Sequence, residues 1–265
     1  MSAFKKIPKS ILIFGAAGHV GRPLAEFLTR ESPATTLHLA TSSPGKRELL
    51  QRAFPNAHVV DADYSDTASL SRALKDIEGV FVITPGGMSE APAMTNLVSA
   101  LKGQTSLIQV IRLVGVFPEL APSRQMAPVL SSKTFIWPEH RVPFIDPRDI
   151  GEVAGRLFLS DNAKHIGAFH TMNNGQDWLT FQEVTGILSE VLGEEIRYDG
   201  SYEAFSEFYG PKMGPLSDLL WNFFKFEEAN EVNWALNNFV ERTLGRKPTS
   251  VRDWIVEHKD KLMKR

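Results

Sequence analysis

Gly15-Ala16-Ala17-Gly18-His19-Val20-Gly21 is the stretch whose residue types and spacing most directly imply chemistry. In front of it, Ile11-Leu12-Ile13-Phe14 reads as a buried strand. Behind it, Val20, Leu24, Phe27 and Leu28 recur at helical spacing. A glycine-rich turn between a strand and a helix is the context in which a dinucleotide is held. Gly15 permits the tight turn, Gly18 lets the backbone approach a pyrophosphate, and Gly21 lets helix and strand pack closely. The helix start then offers free N–H groups and a partial positive charge to the phosphates. Ala17, His19 and Val20 complete the expected phosphate-binding loop.

The choice of dinucleotide is written at the end of the second strand. An acidic residue there binds the ribose diol of NAD(H). This chain has Ala40-Thr41-Ser42-Ser43-Pro44-Gly45-Lys46-Arg47 instead. The hydroxyls of Thr41, Ser42 and Ser43 and the cations Lys46 and Arg47 suit a 2′-phosphate, so the expected cofactor is NADP(H) rather than NAD(H). The competing reading makes Lys46 and Arg47 part of the solvated first turn of a helix.

Short apolar runs alternate with helical patterns through the first half, as βαβ units of a parallel sheet do. Leu37 to Ala40, His58 to Val60, Val80 to Ile83 and Leu107 to Val114 are the further strands. Residues 115–132 carry three prolines and no periodicity. A β segment follows over Thr134 to Ile145, then a helix from Asp146 to Leu159 and a candidate strand over Ala168 to Met172. Thr180 to Glu183 fits a capping box, and Ser250 to Asp253 does so more loosely. From Tyr202 the pattern is helical and aromatic. The expected fold is α/β: a Rossmann-type doubly wound parallel sheet over residues 1–160, with a smaller, mostly helical substrate lobe over 161–265.

Among 265 residues there is no cysteine, and the net charge is −2. These values exclude a disulfide framework and a thiolate nucleophile, and they offer no basic footprint for nucleic acid or anionic membranes. The histidines are scattered without metal-ligand spacing, so no metal is expected. With no apolar run long enough for a signal peptide or a membrane span, a cytoplasmic protein is expected.

These segments together resemble the atypical short-chain dehydrogenases of the NmrA-like kind. The likeness is carried by Ile11 to Gly21, Asp61-Ala62-Asp63-Tyr64, Val80 to Pro85 and Ile145-Asp146-Pro147-Arg148-Asp149-Ile150. Leu244 to Pro248 and Trp254 extend it. The resemblance implies that the substrate lies between the two domains against the nicotinamide. It also implies that Asp63 and Tyr64 flank the adenine, and that Thr84, Pro85 and Gly86 line the cofactor near the nicotinamide ribose. Read without it, Asp63 caps the helix that begins near Ser65.

The proton relay of ordinary short-chain dehydrogenases, Tyr-x-x-x-Lys, is missing. Tyr64, Tyr198, Tyr202 and Tyr209 are followed four places later by Ala68, Tyr202, Ser206 and Met213. Lys133 is the catalytic candidate in its place, with His140 beside it; a solvated lysine and a surface histidine are the plain alternatives. Aromatics from Tyr202 to Phe226 form either an apolar pocket or a core and dimer interface. The expected function is an NADP(H)-dependent oxidoreductase acting on a small hydrophobic or aromatic carbonyl, enone, imine or quinone-like compound. An NADP(H)-sensing regulator without turnover and a non-redox isomerase or cyclase on the same fold are the alternatives.

Overall fold

Ile11 and Ile13 point to one side of the first strand and Leu12 and Phe14 to the other, and that alternation sets the architecture. The computed structural model describes residues 3–86, 88–115, 129, 132–230 and 235–263. Five parallel strands form the central sheet: β1 (Ser10–Ile13), β2 (Thr36–Thr41), β3 (His58–Asp61), β4 (Gly79–Val82) and β5 (Gln109–Arg112), in the order β3-β2-β1-β4-β5. Both faces are covered. Ile11, Ile13, Leu37, Leu39 and Phe81 pack against α1 (Gly21–Glu31), α2 (Pro44–Ala53) and α5 (Pro147–Leu159). Leu12, Phe14, Ala40, Val80 and Val82 pack against α3 (Thr67–Ala73) and α4 (Glu90–Lys102). A sheet buried on both faces needs near-continuous apolar strands, which is why these runs lack the polar alternation of a half-exposed sheet.

The chain divides into two compact units, Met1–Glu119 with Pro147–His170, and Leu120–Asp146 with Thr171–Arg265. They interleave instead of meeting once near residue 160. The first holds the doubly wound sheet. Its helices α1 and α5 touch closely through Gly151 and Gly155: a Cβ on Gly151 would lie 2.8 Å from the Leu24 nitrogen, and one on Gly155 would lie 2.3 Å from the Phe27 ring.

The second unit pairs β6 (Thr134–Ile136) with β9 (Arg197–Asp199) and β7 (Arg141–Pro143) with β8 (Trp178–Thr180). Its helices are α6 (Phe181–Leu192), α7 (Tyr202–Met213), α8 (Pro215–Asn230), α9 (Phe239–Leu244) and α10 (Val251–Met263). Trp137 is buried at its centre, with the rings of Phe224, Tyr209, Phe205 and Phe181 at 5.2, 5.6, 5.7 and 6.1 Å. Phe205, Tyr209 and Phe224 are therefore core, while Phe226 is exposed. Asp177 accepts from the Val251 N–H at 2.7 Å, which satisfies one open donor at the start of α10.

Both capping boxes form. Thr180 and Glu183 exchange side-chain-to-backbone bonds, and Ser250 and Asp253 do the same at 3.0 and 3.3 Å. The segment Ala168 to Met172 is not a strand; it has the apolar residues but no neighbouring strand to complete a ladder. The fifth strand is shorter than its apolar run, because pairing with β4 stops at Arg112. Most of the proline-punctuated stretch, residues 116–128 and 130–131, lies outside the described residues, as does Gly87.

Candidate functional site

Four of the sequence-derived groups follow the C-terminal ends of four adjacent parallel strands. The glycine loop follows β1, Thr41 to Arg47 end β2 and open α2, Asp63 and Tyr64 follow β3, and Thr84 to Gly86 follow β4. In an open parallel sheet, ligands bind at this edge, where the strand order reverses. The reversal here lies between β1 and β4.

The glycine loop is built for close approach. Gly15 has φ +70°, a backbone state that costs other residues about 1–2 kcal/mol. The Gly18 N–H closes the turn onto the Gly15 carbonyl at 2.8 Å. A Cβ on Gly21 would sit 2.4 Å from that same carbonyl oxygen. Gly18 and His19 face solvent at the start of α1; there the Arg22 N–H is taken by the Gly18 carbonyl at 3.2 Å and Pro23 has none, so the donors that could meet a ligand are the backbone N–H groups just ahead of them. This cradle fits a pyrophosphate, because no side chain stands between the solvent side of Gly18 and the helix start.

At the end of β2, the Thr41 hydroxyl accepts from the Ser43 N–H at 3.1 Å and shapes the entry to α2. Lys46 and Arg47 lie in the first turn of that helix. Lys46 is exposed, whereas Arg47 donates to the Val59 carbonyl at 2.9 Å and so holds α2 against β3. Of the two expected cations, Lys46 has the outward position that a 2′-phosphate requires, and Arg47 has structural work.

Asp63 does not cap α3; Asp66 does, accepting from the Ala68 N–H at 2.8 Å. The Asp63 carboxylate accepts from the Ser65 hydroxyl and N–H at 2.7 and 2.8 Å, and those bonds hold its pKa below the usual carboxylate range. Tyr64 is buried against Phe14, ring centroids 4.8 Å apart, and donates to the Ile83 carbonyl at 3.0 Å. Burial raises its pKa above the ordinary tyrosine value. Its visible role is to tie the β3 loop to the β4 loop, and Asn96 adds a second tie by donating to the Tyr64 carbonyl at 2.9 Å.

Beyond β4, the Thr84 hydroxyl donates to Glu90 Oε1 at 2.9 Å, and Arg112 donates to the same oxygen at 2.7 Å. These bonds, Arg112 first, hold the Glu90 carboxyl below its usual range. Pro85 and Gly86 are exposed. Arg112 was not among the residues expected at the site. Its signal was a lone cation inside the apolar run Leu107 to Val114, which sequence alone does not place beside Thr84.

Lys133 belongs to the second compact unit. Its ammonium pairs with Glu194 at 2.6 Å, and its backbone adopts φ +53°. His140 is not a surface residue: it is buried, its ring stacks on Phe224 at 4.7 Å, and Nδ1 lies 3.0 Å from the Pro138 carbonyl. Burial lowers its pKa. Both residues have local partners that account for their positions.

The fold is a Rossmann-type doubly wound parallel sheet. The NmrA-like family model matches residues 8–127, the stretch that holds Ile11 to Gly21, Asp61 to Tyr64 and Val80 to Pro85. A reductase of Streptomyces griseus, "(4-alkanoyl-5-oxo-2,5-dihydrofuran-3-yl)methyl phosphate reductase", is 24% identical over 94% of this chain and 97% of its own. Among solved structures, triphenylmethane reductase of Citrobacter complexed with NADP(H) superposes with a TM-score of 0.78 at 16% identity, covering 94% of this chain and 99% of the other. The Escherichia coli NADPH-dependent quinone oxidoreductase complexed with NADPH gives 0.75 at 20% identity, again over 94% and 99%. Among the described residues, no helix is long and apolar enough to cross a membrane.

Proposed function

We propose that this chain is an NADP(H)-dependent oxidoreductase whose acceptor is a conjugated carbonyl, an enone or a quinone-like compound. The observation that carries the reading is the sheet edge itself. A side-chain-free loop follows β1, and an acid-free turn with hydroxyls and the exposed Lys46 follows β2. The names of the similar proteins support it. All three are reductases or quinone oxidoreductases, two of them solved with NADP(H), and the Streptomyces name specifies a furanone whose carbonyl is conjugated with a ring double bond.

Bound NADPH would supply hydride, and the protein would supply orientation, the phosphate cradle and a polarised edge. The glycine loop and the start of α1 would hold the pyrophosphate, Thr41 to Lys46 the 2′-phosphate, and the Thr84 loop the nicotinamide half. Without a Tyr-x-x-x-Lys pair the chain has no such proton relay, which favours acceptors whose product anion is delocalised.

The test is a panel of acceptors followed by loss of reduced-nicotinamide absorbance. Quinones and enones should be reduced and simple ketones left nearly untouched. Tight NADPH binding without reduction of any acceptor would favour the sensor reading instead.

Cofactor preference gives a separate expectation. Thr41→Asp combined with Lys46→Ala should shift the NADPH/NADH preference toward NADH by about tenfold or more, since one charge-assisted contact contributes about 1.5–3 kcal/mol. Asp at this position can still accept the Ser43 N–H, so the turn survives. Equal preference in the variant and the wild type would remove the 2′-phosphate from this end of β2.

A further inference from the structure

Arg112 ends β5 directly opposite Val82 of β4, one strand beyond the point where the sheet order reverses. A dinucleotide lying across that reversal, with its pyrophosphate on the β1 loop, puts one nucleoside on the β2 side and the other on the β4–β5 side. The cation and hydroxyls that suit a 2′-phosphate are at β2. The nicotinamide half, and with it the reacting carbon, therefore falls toward Thr84 and Arg112.

Two strands and a helix start converge to hold the guanidinium. Glu90, the first residue of α4, accepts from Arg112 and from Thr84 through one oxygen, so the fork has a fixed anchor beside the β4 loop. The ion pair is half exposed, with side-chain exposures of 41% and 47%. A pair that open adds little to folding. The guanidinium carries five N–H donors in a rigid plane, so the Glu90 contact orients the group without exhausting it.

We infer that Arg112 is a catalytic residue of the proposed reductase reaction: aimed by Glu90, its guanidinium donates to the acceptor's carbonyl oxygen and stabilises the negative charge that develops there. This rests on the oxidoreductase reading. Hydride forms a C–H bond to the enone or to a quinone ring carbon, the carbonyl π pair moves to oxygen, and the nicotinamide is left oxidised. Arg112 acts here as a hydrogen-bond donor and passes no proton to the product. Water then protonates that anion; an enone's enol tautomerises to the saturated ketone, and a quinone's adduct tautomerises to the quinol. Electrostatic help of this kind can replace the missing proton relay only for acceptors whose anion survives until water delivers the proton.

The experiment uses the full chain in three forms: wild type, Arg112→Met and Arg112→Lys. Arg112→Met should reduce a quinone or enone about 10²–10³-fold more slowly, the loss seen when one oxyanion donor is removed. NADPH affinity, measured by nucleotide fluorescence, should be unchanged. Arg112→Lys, which keeps the charge but not the fork, should recover part of the rate. A second readout needs no turnover. p-Nitrophenol bound with NADP⁺ should ionise at lower pH in the wild type than free in solution, and Arg112→Met should abolish that shift. Lysine serves in both assays if the methionine form does not fold.

Unchanged turnover in Arg112→Met, or a phenol shift that persists in it, would overturn the inference. A loss of NADPH affinity in step with rate would overturn it too, by making Arg112 a cofactor ligand. If the wild type reduces no acceptor, the oxidoreductase reading falls first and this one with it.

Discussion

Gly18→Val is expected to abolish NADP(H) binding in a protein that still folds. Gly18 is exposed and lies outside the left-handed region, and among the described residues, chain neighbours apart, the atom near an added Cβ is the Gly15 carbonyl oxygen at 3.2 Å. A shift of a few tenths of an ångström accommodates that contact. The two γ-methyl groups of valine then stand where the pyrophosphate must meet the N–H groups at the start of α1. Losing two charge-assisted hydrogen bonds costs about 3 kcal/mol or more, over a hundredfold in affinity. Calorimetric titration with NADPH, alongside circular dichroism, separates binding from folding. A folded variant with wild-type affinity would move the phosphates off this loop.

Gly21→Ala is the informative contrast. Its Cβ would meet the Gly15 carbonyl carbon and oxygen at 2.6 and 2.4 Å, and these are backbone atoms that no rotamer change can move aside. That variant should lose stability together with affinity. Gly15 and Gly21 thus have separate structural duties, and Gly18 is the one the proposal leaves to the ligand.

These duties were legible in the sequence because each is local. Four strand residues, a fixed glycine spacing and a helical repeat specify one β-turn-α unit without knowledge of the rest of the chain. The parallel sheet was legible for a similar reason, since strands buried on both faces must be apolar throughout. Contacts between distant segments were not. Arg112 becomes a site residue only through the pairing of β4 with β5 and its bond to Glu90, 22 positions earlier. The pairing of Thr134 with Arg197 draws β6 to β9 in the second compact unit, and no local pattern announces it. Lys133, with His140 beside it, was singled out to stand in for the missing Tyr-x-x-x-Lys pair. The structure gives them a carboxylate and an aromatic cage. Tyr64 was expected beside the adenine, and its phenol is occupied by the Ile83 carbonyl.

Gly151→Val is expected to reach the proposed cofactor site through α1, the neighbour of α5 on the same face of the sheet. A helical glycine usually weakens its helix by about 1 kcal/mol relative to alanine, so its presence in α5 calls for a reason. The reason is α1: a Cβ on Gly151 would lie 2.8 Å from the Leu24 nitrogen, 2.9 Å from the Val20 carbonyl oxygen and 3.0 Å from Pro23 Cβ. Val20 and Leu24 are the residues whose backbone bond opens α1, at 3.1 Å. Valine at 151 must therefore push the start of α1 away from α5, and the start of α1 is the proposed phosphate cradle. Overpacking of this kind costs about 1–3 kcal/mol, or about 2–4 °C in Tm per kcal/mol for a domain of this size. NADPH affinity should fall with it, although Gly151 cannot touch the nucleotide. Gly186→Ala supplies the control, because that glycine sits in α6 with nothing within 4 Å of an added Cβ. It should leave affinity intact and raise stability by about 0.4–1 kcal/mol. Thermal melts and NADPH titrations on both variants decide the matter. If Gly151→Val melts with the wild type, or melts earlier yet binds NADPH as tightly, then α5 does not set the position of the cradle.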